Sequence, residues 1–410
     1  MKRVALSVFL VLAASSLSAA ENWPCWRGPR GDGSVDDSAL PVRFSVEKDT
    51  RWKTELPGIG HSSPIVWGDR IFVTSAVEDT AERLLLCLNR ADGAVIWRKT
   101  VLKSPFEGIH RLNSRASGTP ATDGERVYVT FLDEAEMFVA ACDFDGHAVW
   151  EARPGGFSSK HGYCSSPVLW KDKVIVNGDH DGDGYLVALN RETGKPIWKT
   201  DRPNHTRSYC TPIIRAIGGR NEMILSGSKC VASYDPDTGA QHWILDGPTE
   251  QFVASLVYNP EENLLFLTCG FPEKHMMAIR PGGTGNVTDT HVVWHEQVGA
   301  SYVPSPVAVG PYFLVVSDNG QASCFVAKTG ERLWRERLPG GHSASLLSAN
   351  GLAYFLSDDG VMTVVKPGPV FEVVATSELG EPTSASPVPH DGCLLLRGEK
   401  HLYCLGGGER

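Results

Sequence analysis

Seven of the eleven tryptophans stand at nearly even intervals, at Trp52, Trp97, Trp150, Trp198, Trp243, Trp294 and Trp334. The gaps are 45, 53, 48, 45, 51 and 40 residues, and each tryptophan follows or ends an apolar, strand-like run. A large aromatic returning at such a period marks one supersecondary unit copied along the chain, each copy needing its neighbours to bury its apolar face. A chain of 410 residues would ordinarily divide into two or three domains. Continuous repetition from Trp52 onward argues instead for one closed array over residues 51–405, followed by a short tail at 406–410. The 42 glycines and 26 prolines, with no long stretch of helical periodicity, point to short strands and tight turns.

The third copy is the clearest. Ser165-Ser166-Pro167-Val168-Leu169 opens a first strand, residues 173–177 (KVIVN) alternate as a second, and residues 185–190 (YLVALN) form a third. Thr193-Gly194 then turns the chain into a fourth strand that carries Trp198. Four short antiparallel strands in about 45 residues make one blade of a β-propeller. The opening recurs as Ser62-Ser63-Pro64, Gly118-Thr119-Pro120, Cys210-Thr211-Pro212, Pro304-Ser305-Pro306 and Ala385-Ser386-Pro387. The glycine turn recurs at Gly93, Gly146, Gly239 and Gly330, where a positive φ is needed, with the tryptophan four residues on.

First strands begin near residues 62, 118, 165, 210, 254, 304, 344 and 385, which predicts an all-β, eight-bladed propeller of four-stranded antiparallel blades. Seven blades is the alternative if a weak unit is not a true blade; the seventh has Val374 where the tryptophan is expected. The eighth unit stops after residues 401–405, one strand short, while Trp52 lies in a fourth-strand sequence with no blade before it. The N-terminal strand is therefore expected to complete the last blade and hide both sheet edges.

Residues 1–20 read as a secretory signal peptide: Lys2 and Arg3, an apolar run at 4–14, and Ser18-Ala19-Ala20 before Glu21. The apolar run is too short for a membrane-spanning helix, and no later segment is long enough. An exported protein, periplasmic or secreted, is expected, with residues 21–50 as an N-terminal extension. Losing Lys2 and Arg3 takes the formal charge from −9 to −11, and no basic stripe is available for nucleic acid. The ten cysteines do not read as a disulfide framework. Cys87, Cys324 and Cys404 share one slot that Ala188 fills in another copy, as buried small hydrophobes do. Cys164 and Cys210 sit at similar heights in adjacent blades but one residue out of register, which favours independent thiols over a disulfide or a shared metal.

The run Ala188-Leu189-Asn190-Arg191-Glu192-Thr193-Gly194-Lys195-Pro196-Ile197-Trp198 closely resembles the tryptophan-docking motif of the pyrroloquinoline quinone (PQQ) repeat family, with Asn190 in place of its aspartate. Degenerate copies lie at 233–243 and 324–334, and the resemblance covers residues 50–405. It implies kinship with quinoprotein dehydrogenases, with the propeller of the outer-membrane barrel-assembly machinery, and with exported PQQ-like propellers. The opening Trp23-Pro24-Cys25-Trp26-Arg27-Gly28-Pro29 looks most like that last group. The docking motif is architectural in these branches and does not separate enzyme from scaffold. The family's enzymes carry adjacent disulfide-bonded cysteines over the quinone, a calcium site and an aspartate base. This chain has no Cys-Cys pair and little room for blade inserts, so PQQ is not expected and a non-catalytic binding or scaffold module is; a PQQ- and calcium-dependent oxidoreductase is the alternative.

Two constellations remain. Asp179, Asp181 and Asp183 match the start of an Asp-x-Asp-x-Asp-Gly calcium loop, whose alternate carboxylates can converge on a hard cation; the bland reading is a solvated turn. In a propeller the residues just before each first strand gather at the channel mouth. Here they are His61, Arg111, Asn113, Arg115, His161, Tyr163, Cys164, His205, Arg207, Tyr209, Cys210, Tyr302 and His342, a set whose Arg, His and Tyr side chains could bind an anionic or carbohydrate-like ligand. A protein or a small polar or anionic molecule is the expected partner.

Overall fold

The computed structural model describes residues 22–37 and 39–406; the leader expected over 1–20 and the end of the tail lie outside the described residues. Eight antiparallel blades follow one another around a central channel, each with its strands in the order first to fourth from the axis outward. Blade 1 comprises Ile65–Trp67, Arg70–Val77, Glu82–Asn89 and Val95–Lys103. Its middle strands are buried on both faces, sandwiched between neighbouring blades, so Leu84-Leu85-Leu86-Cys87-Leu88 is continuously apolar. The outer strand alternates between exposed and covered residues because only one side of it meets protein.

Blade 8 is Val388–His390, Cys393–Arg397 and His401–Gly406, and its outer strand is Thr50–Glu55 from the other end of the ring. Trp52 lies opposite Cys404 there. The closure expected from the sequence is thus present: the last blade takes its fourth strand from the other end of the ring.

Each periodic tryptophan but one reaches from the outer strand of its blade to the glycine turn of the next. Trp52 Nε1 donates to Arg90 O at 2.9 Å, Trp97 to Phe144 O at 2.8 Å, and Trp150 to Arg191 O at 2.9 Å. Trp198, Trp294 and Trp334 do the same to Pro236, Ala327 and Gly368. The ring covers the turn: a Cβ on Gly93 would lie 2.4 Å from the Trp52 ring, and one on Gly194 2.6 Å from Trp150. Those glycines are fixed twice, by the ring above them and by φ of +71° and +68°.

The same register explains the cysteine slot. Directly opposite each tryptophan on the third strand stands a small residue: Cys87, Ala141, Ala188, Ser233, Ala278, Cys324 and Cys404. Cross-strand partners share a face, so the indole leaves room only for a small side chain. The residue before each tryptophan is bulged out of the pairing, and this corrects the reading of the seventh unit. Blade 7 pairs Val364 with Ala375 and Val365 with Val373, which makes Val374 the bulge and Ala375 the tryptophan's equivalent. There the larger Val364 faces the smaller partner.

Trp243 is the exception. The connection between the third and fourth strands of blade 5 is longer than elsewhere, and its Gly285–Asn286 pairs in parallel with Trp243 and Ile244 as a fifth strand on blade 4. Trp243 is consequently fully buried and donates to the Glu222 carboxylate at 2.9 Å.

Candidate functional site

The channel is closed at one end by the N-terminal extension. Asn22 and Asp37 accept N–H groups from Gly68 and Gly392, in the turns between first and second strands, which fixes the extension at that end. Between those points it crosses the axis. Trp23 pairs with Val66, Pro24 O accepts from Thr122, Arg30 O accepts from Arg215, and Arg27 Nη2 donates to Pro306 O at 2.6 Å. Ser34–Val35 then runs parallel to the first strand of blade 7. These contacts reach the inner strands of blades 1, 2, 4, 6 and 7, and Trp26 Nε1 approaches Ser255 of blade 5 at 3.4 Å.

Above Trp26 runs a ring built from the recurring Ser/Thr positions. The backbone N–H of Ser63 donates to Thr119 Oγ1, Thr119 to Ser166, Ser166 to Thr211 and Thr211 to Ser255. Ser255 continues to Ser305, Ser305 to Ser345, Ser345 to Ser386, and Ser386 returns to Ser63. All eight links measure 2.9–3.1 Å. An inner-strand amide at the axis has no further strand to pair with, and the neighbouring blade's hydroxyl satisfies it. Ser63 Oγ donates in turn to Ser386 O at 3.1 Å and Ser255 Oγ also accepts from Trp26 Nε1; the other six hydroxyls keep a proton and a lone pair.

This collar opens into a cavity of about 650 Å³ at the other end of the channel, with Trp26 as its floor. The size is that of a small-molecule site. Apart from the cysteines, six of the expected residues line it: His61, Asn113, His161, Arg207, Tyr209 and Tyr302. Five do not. Arg111 is exposed and outside the lining. Arg115 pairs with Glu78 and stacks 4.7 Å over Phe106, while Tyr163 packs edge-on against Phe157 in the core. His205 bonds Gly182 O at 2.9 Å outside the cavity, and His342 is buried behind the wall. Cys164 lines the cavity, whereas the Cys210 thiol donates to Ala254 O at 3.1 Å.

The walls are held by hydrogen bonds within and between the loops that lead into the blades. Asn113 Nδ2 donates to His161 O at 2.8 Å, and Tyr302 OH to Gln251 Oε1 at 3.0 Å. The cavity has one carboxylate, Asp318, whose oxygens accept the N–H groups of Tyr302 and Val303 at 3.0 Å and the Lys274 ammonium at 3.3 Å. Arg207 is paired with Asp181 at 2.5 Å, and Lys160 stands at the rim with no carboxylate partner among the described residues.

Beneath the wall lies a charge no motif announced. Arg397 is buried, bonds Ser62 O and Oγ at 2.9 and 2.7 Å, and faces no carboxylate among the described residues. Burial pushes its pKa down to about 9. Burial, and then the Arg397 charge, hold His61 down to about 4, so His61 is neutral at pH 7. At the floor, burial brings Arg27 down to about 10; Asp32 opposes that shift and Arg215 adds to it. The axis is positive within an acidic chain.

The three aspartates of the calcium-like loop are not brought together. Asp179 and Arg202 form a fully buried two-point pair at 2.8 and 3.1 Å, Asp181 goes to Arg207, and exposed Asp183 lies 3.6 Å from His205. Among the described residues, no group of three or more His, Cys, Asp and Glu side chains is arranged to hold a metal. With one carboxylate, already satisfied, the mouth does not fit a calcium-assisted quinone.

The periodic tryptophans, their glycine turns and the ring closure agree with comparison to known proteins. The family model described as outer membrane protein assembly factor BamB matches residues 80–257 and 285–367. The chain belongs to that family of PQQ-repeat propellers. A polyvinylalcohol dehydrogenase of Sphingopyxis sp. (strain 113P3) is 24% identical over 394 residues, covering 84% of this chain and 54% of that protein. Quinohemoprotein alcohol dehydrogenase ADH IIB of Pseudomonas putida is 25% identical over 234 residues, 52% of this chain and 31% of that one. The chain thus spans about half the length of the first relative and less of the second. Among solved structures, BamB from Moraxella catarrhalis superposes with a TM-score of 0.60 at 13% identity, covering 87% of this chain and 98% of that one. A europium-containing methanol dehydrogenase gives 0.55 at 13%, covering 95% and 90%. These likenesses establish the fold. Among the described residues, no helix is long and apolar enough to cross a membrane.

Proposed function

We propose that this protein is an exported, non-catalytic binding module that captures a small polar anion in the blind funnel at the channel mouth. The supporting observation is electrostatic. Behind the funnel wall Arg397 is a buried guanidinium without a carboxylate partner among the described residues, in a chain whose net charge is −9. The field that helps hold His61 neutral also attracts negative charge, and low-dielectric walls strengthen it. The hydroxyl collar and the Lys160 ammonium supply donors at either end of the cavity. Calorimetric titration of the purified chain with trigalacturonate, citrate and a neutral sugar tests the reading. Binding of at least one anion, weakened by Lys160→Gln, is expected; no binding of any anion would overturn it.

The relative covering most of this chain is named a dehydrogenase, which keeps a PQQ-dependent oxidoreductase as the second reading. Loading the protein with PQQ and calcium, then following dye reduction with alcohols, separates the two. Sustained turnover would replace the binding-module reading.

A further inference from the structure

We infer that the ligand is an acidic saccharide, with a sugar ring seated on Trp26 and its carboxylate or sulfate held by the positive wall. The inference rests on the anion-binding reading and deepens it by naming the chemical class. Three independent features of the cavity converge on this class.

The first is the collar. Six of its hydroxyls, those of Ser166, Thr211, Ser255, Ser305, Ser345 and Ser386, line the cavity. Each of the six accepts one amide N–H, and all but Ser255, which also accepts from Trp26 Nε1, retain both a donor and an acceptor, so the collar is amphoteric. A simple anion uses only the donors. A polyhydroxylated ring uses both, because each of its own hydroxyls also donates and accepts.

The second feature is aromatic. Trp26 is the floor, and Tyr209, Tyr302 and Phe271 stand in the walls. The electron-rich face of an indole attracts polarised C–H groups, which a pyranose presents on one side of its ring. Trp26 is held from beneath by a main chain bonded to five blades, so it is a fixed platform.

The third is charge. Lys160 and the field of Arg397 favour an anionic substituent over a neutral sugar. Asp318, the one carboxylate in the lining, is neutralised by two amides and Lys274, so it does not repel that substituent.

The test is calorimetric titration of the protein with trigalacturonate, its methyl ester, a sulfated disaccharide, benzene-1,3,5-tricarboxylate and PQQ. The acidic sugars are expected to bind, and the ester at least about ten-fold more weakly, a loss of about 1.4 kcal/mol. Trp26→Ala should weaken trigalacturonate by about ten-fold or more, Trp26→Phe should restore most of it, and Lys160→Gln should weaken it several-fold while leaving the thermal unfolding midpoint unchanged. If the tricarboxylate or PQQ binds as tightly as the acidic sugars, the anion site stands and the saccharide inference falls. If ester and acid bind alike, the charge part falls. If nothing binds to a folded protein, both readings fail together.

Discussion

The seams between blades and the loops at the channel mouth are built on opposite plans. At six of the eight seams an indole N–H meets a turn carbonyl in the same geometry, with a small residue across the strand. At the mouth no such repeat holds: blade by blade the lining runs from His61 through Asn113, His161, Arg207, Gln251 and Tyr302 to Ser343 and Ser384. The repeat is a device for closing a ring, and its residues are already committed to one another. Specificity has to come from positions the repeat leaves free. Seam substitutions should therefore move stability and leave ligand affinity alone, and mouth substitutions should do the reverse.

The largest effect is expected at the seam between blades 3 and 4. Asp179→Asn leaves Arg202 buried without its counter-charge and should destabilise by about 3–5 kcal/mol in urea unfolding, equally with calcium or chelator. A calcium-dependent difference would restore the metal-loop reading. Trp150→Ala should cost about 3–5 kcal/mol by the same measurement, since it removes a nearly buried ring and its bond to Arg191 O.

His342 couples stability to acid. Burial holds its pKa at about 4, below its ordinary 6.5, so the unfolded chain takes up a proton that the folded chain refuses. Its contribution is complete at neutral pH and is lost as pH falls from about 6.5 to about 4, on the order of 3 kcal/mol. Thermal melts across that range should flatten in His342→Leu.

Ser345→Ala breaks one collar link and orphans the buried Ser305 amide, for about 1–3 kcal/mol, and should also weaken ligand. The collar is where the two plans overlap, so a stability effect without an affinity effect there would place it with the scaffold alone. The smallest shift belongs to Lys160→Gln, within about 0.5 kcal/mol for stability while affinity drops.

The scaffold was more legible than the site. Tryptophan spacing, glycine turns and the missing last strand led to eight blades and their closure, with a one-residue slip at Val374. The slip arose because a bulge shifts register, and a bulge has no signature among the β-branched residues around Val374. At the mouth, reading back from each Ser/Thr-Pro found His61, His161, Arg207, Tyr209 and Tyr302. It also swept in Arg115, Tyr163 and His342, because the direction of a loop side chain depends on neighbours remote in sequence. Trp26, Lys160, Lys274 and Asp318 were missed. Trp26 lies outside the repeat altogether, and Arg397 sits at the end of a strand whose other residues are apolar.

What the chain determines by itself is everything that repeats: strand, turn, docking indole, the small residue facing it, and the serine or threonine of the collar. These are local patterns, and copying them many times makes each visible above the noise of any single blade. The tertiary structure decides what happens once: that the extension crosses the axis and turns a channel into a blind funnel, and that three aspartates at alternate positions face three different side chains. Both depend on contacts between residues far apart in the chain, and periodicity carries no information about those.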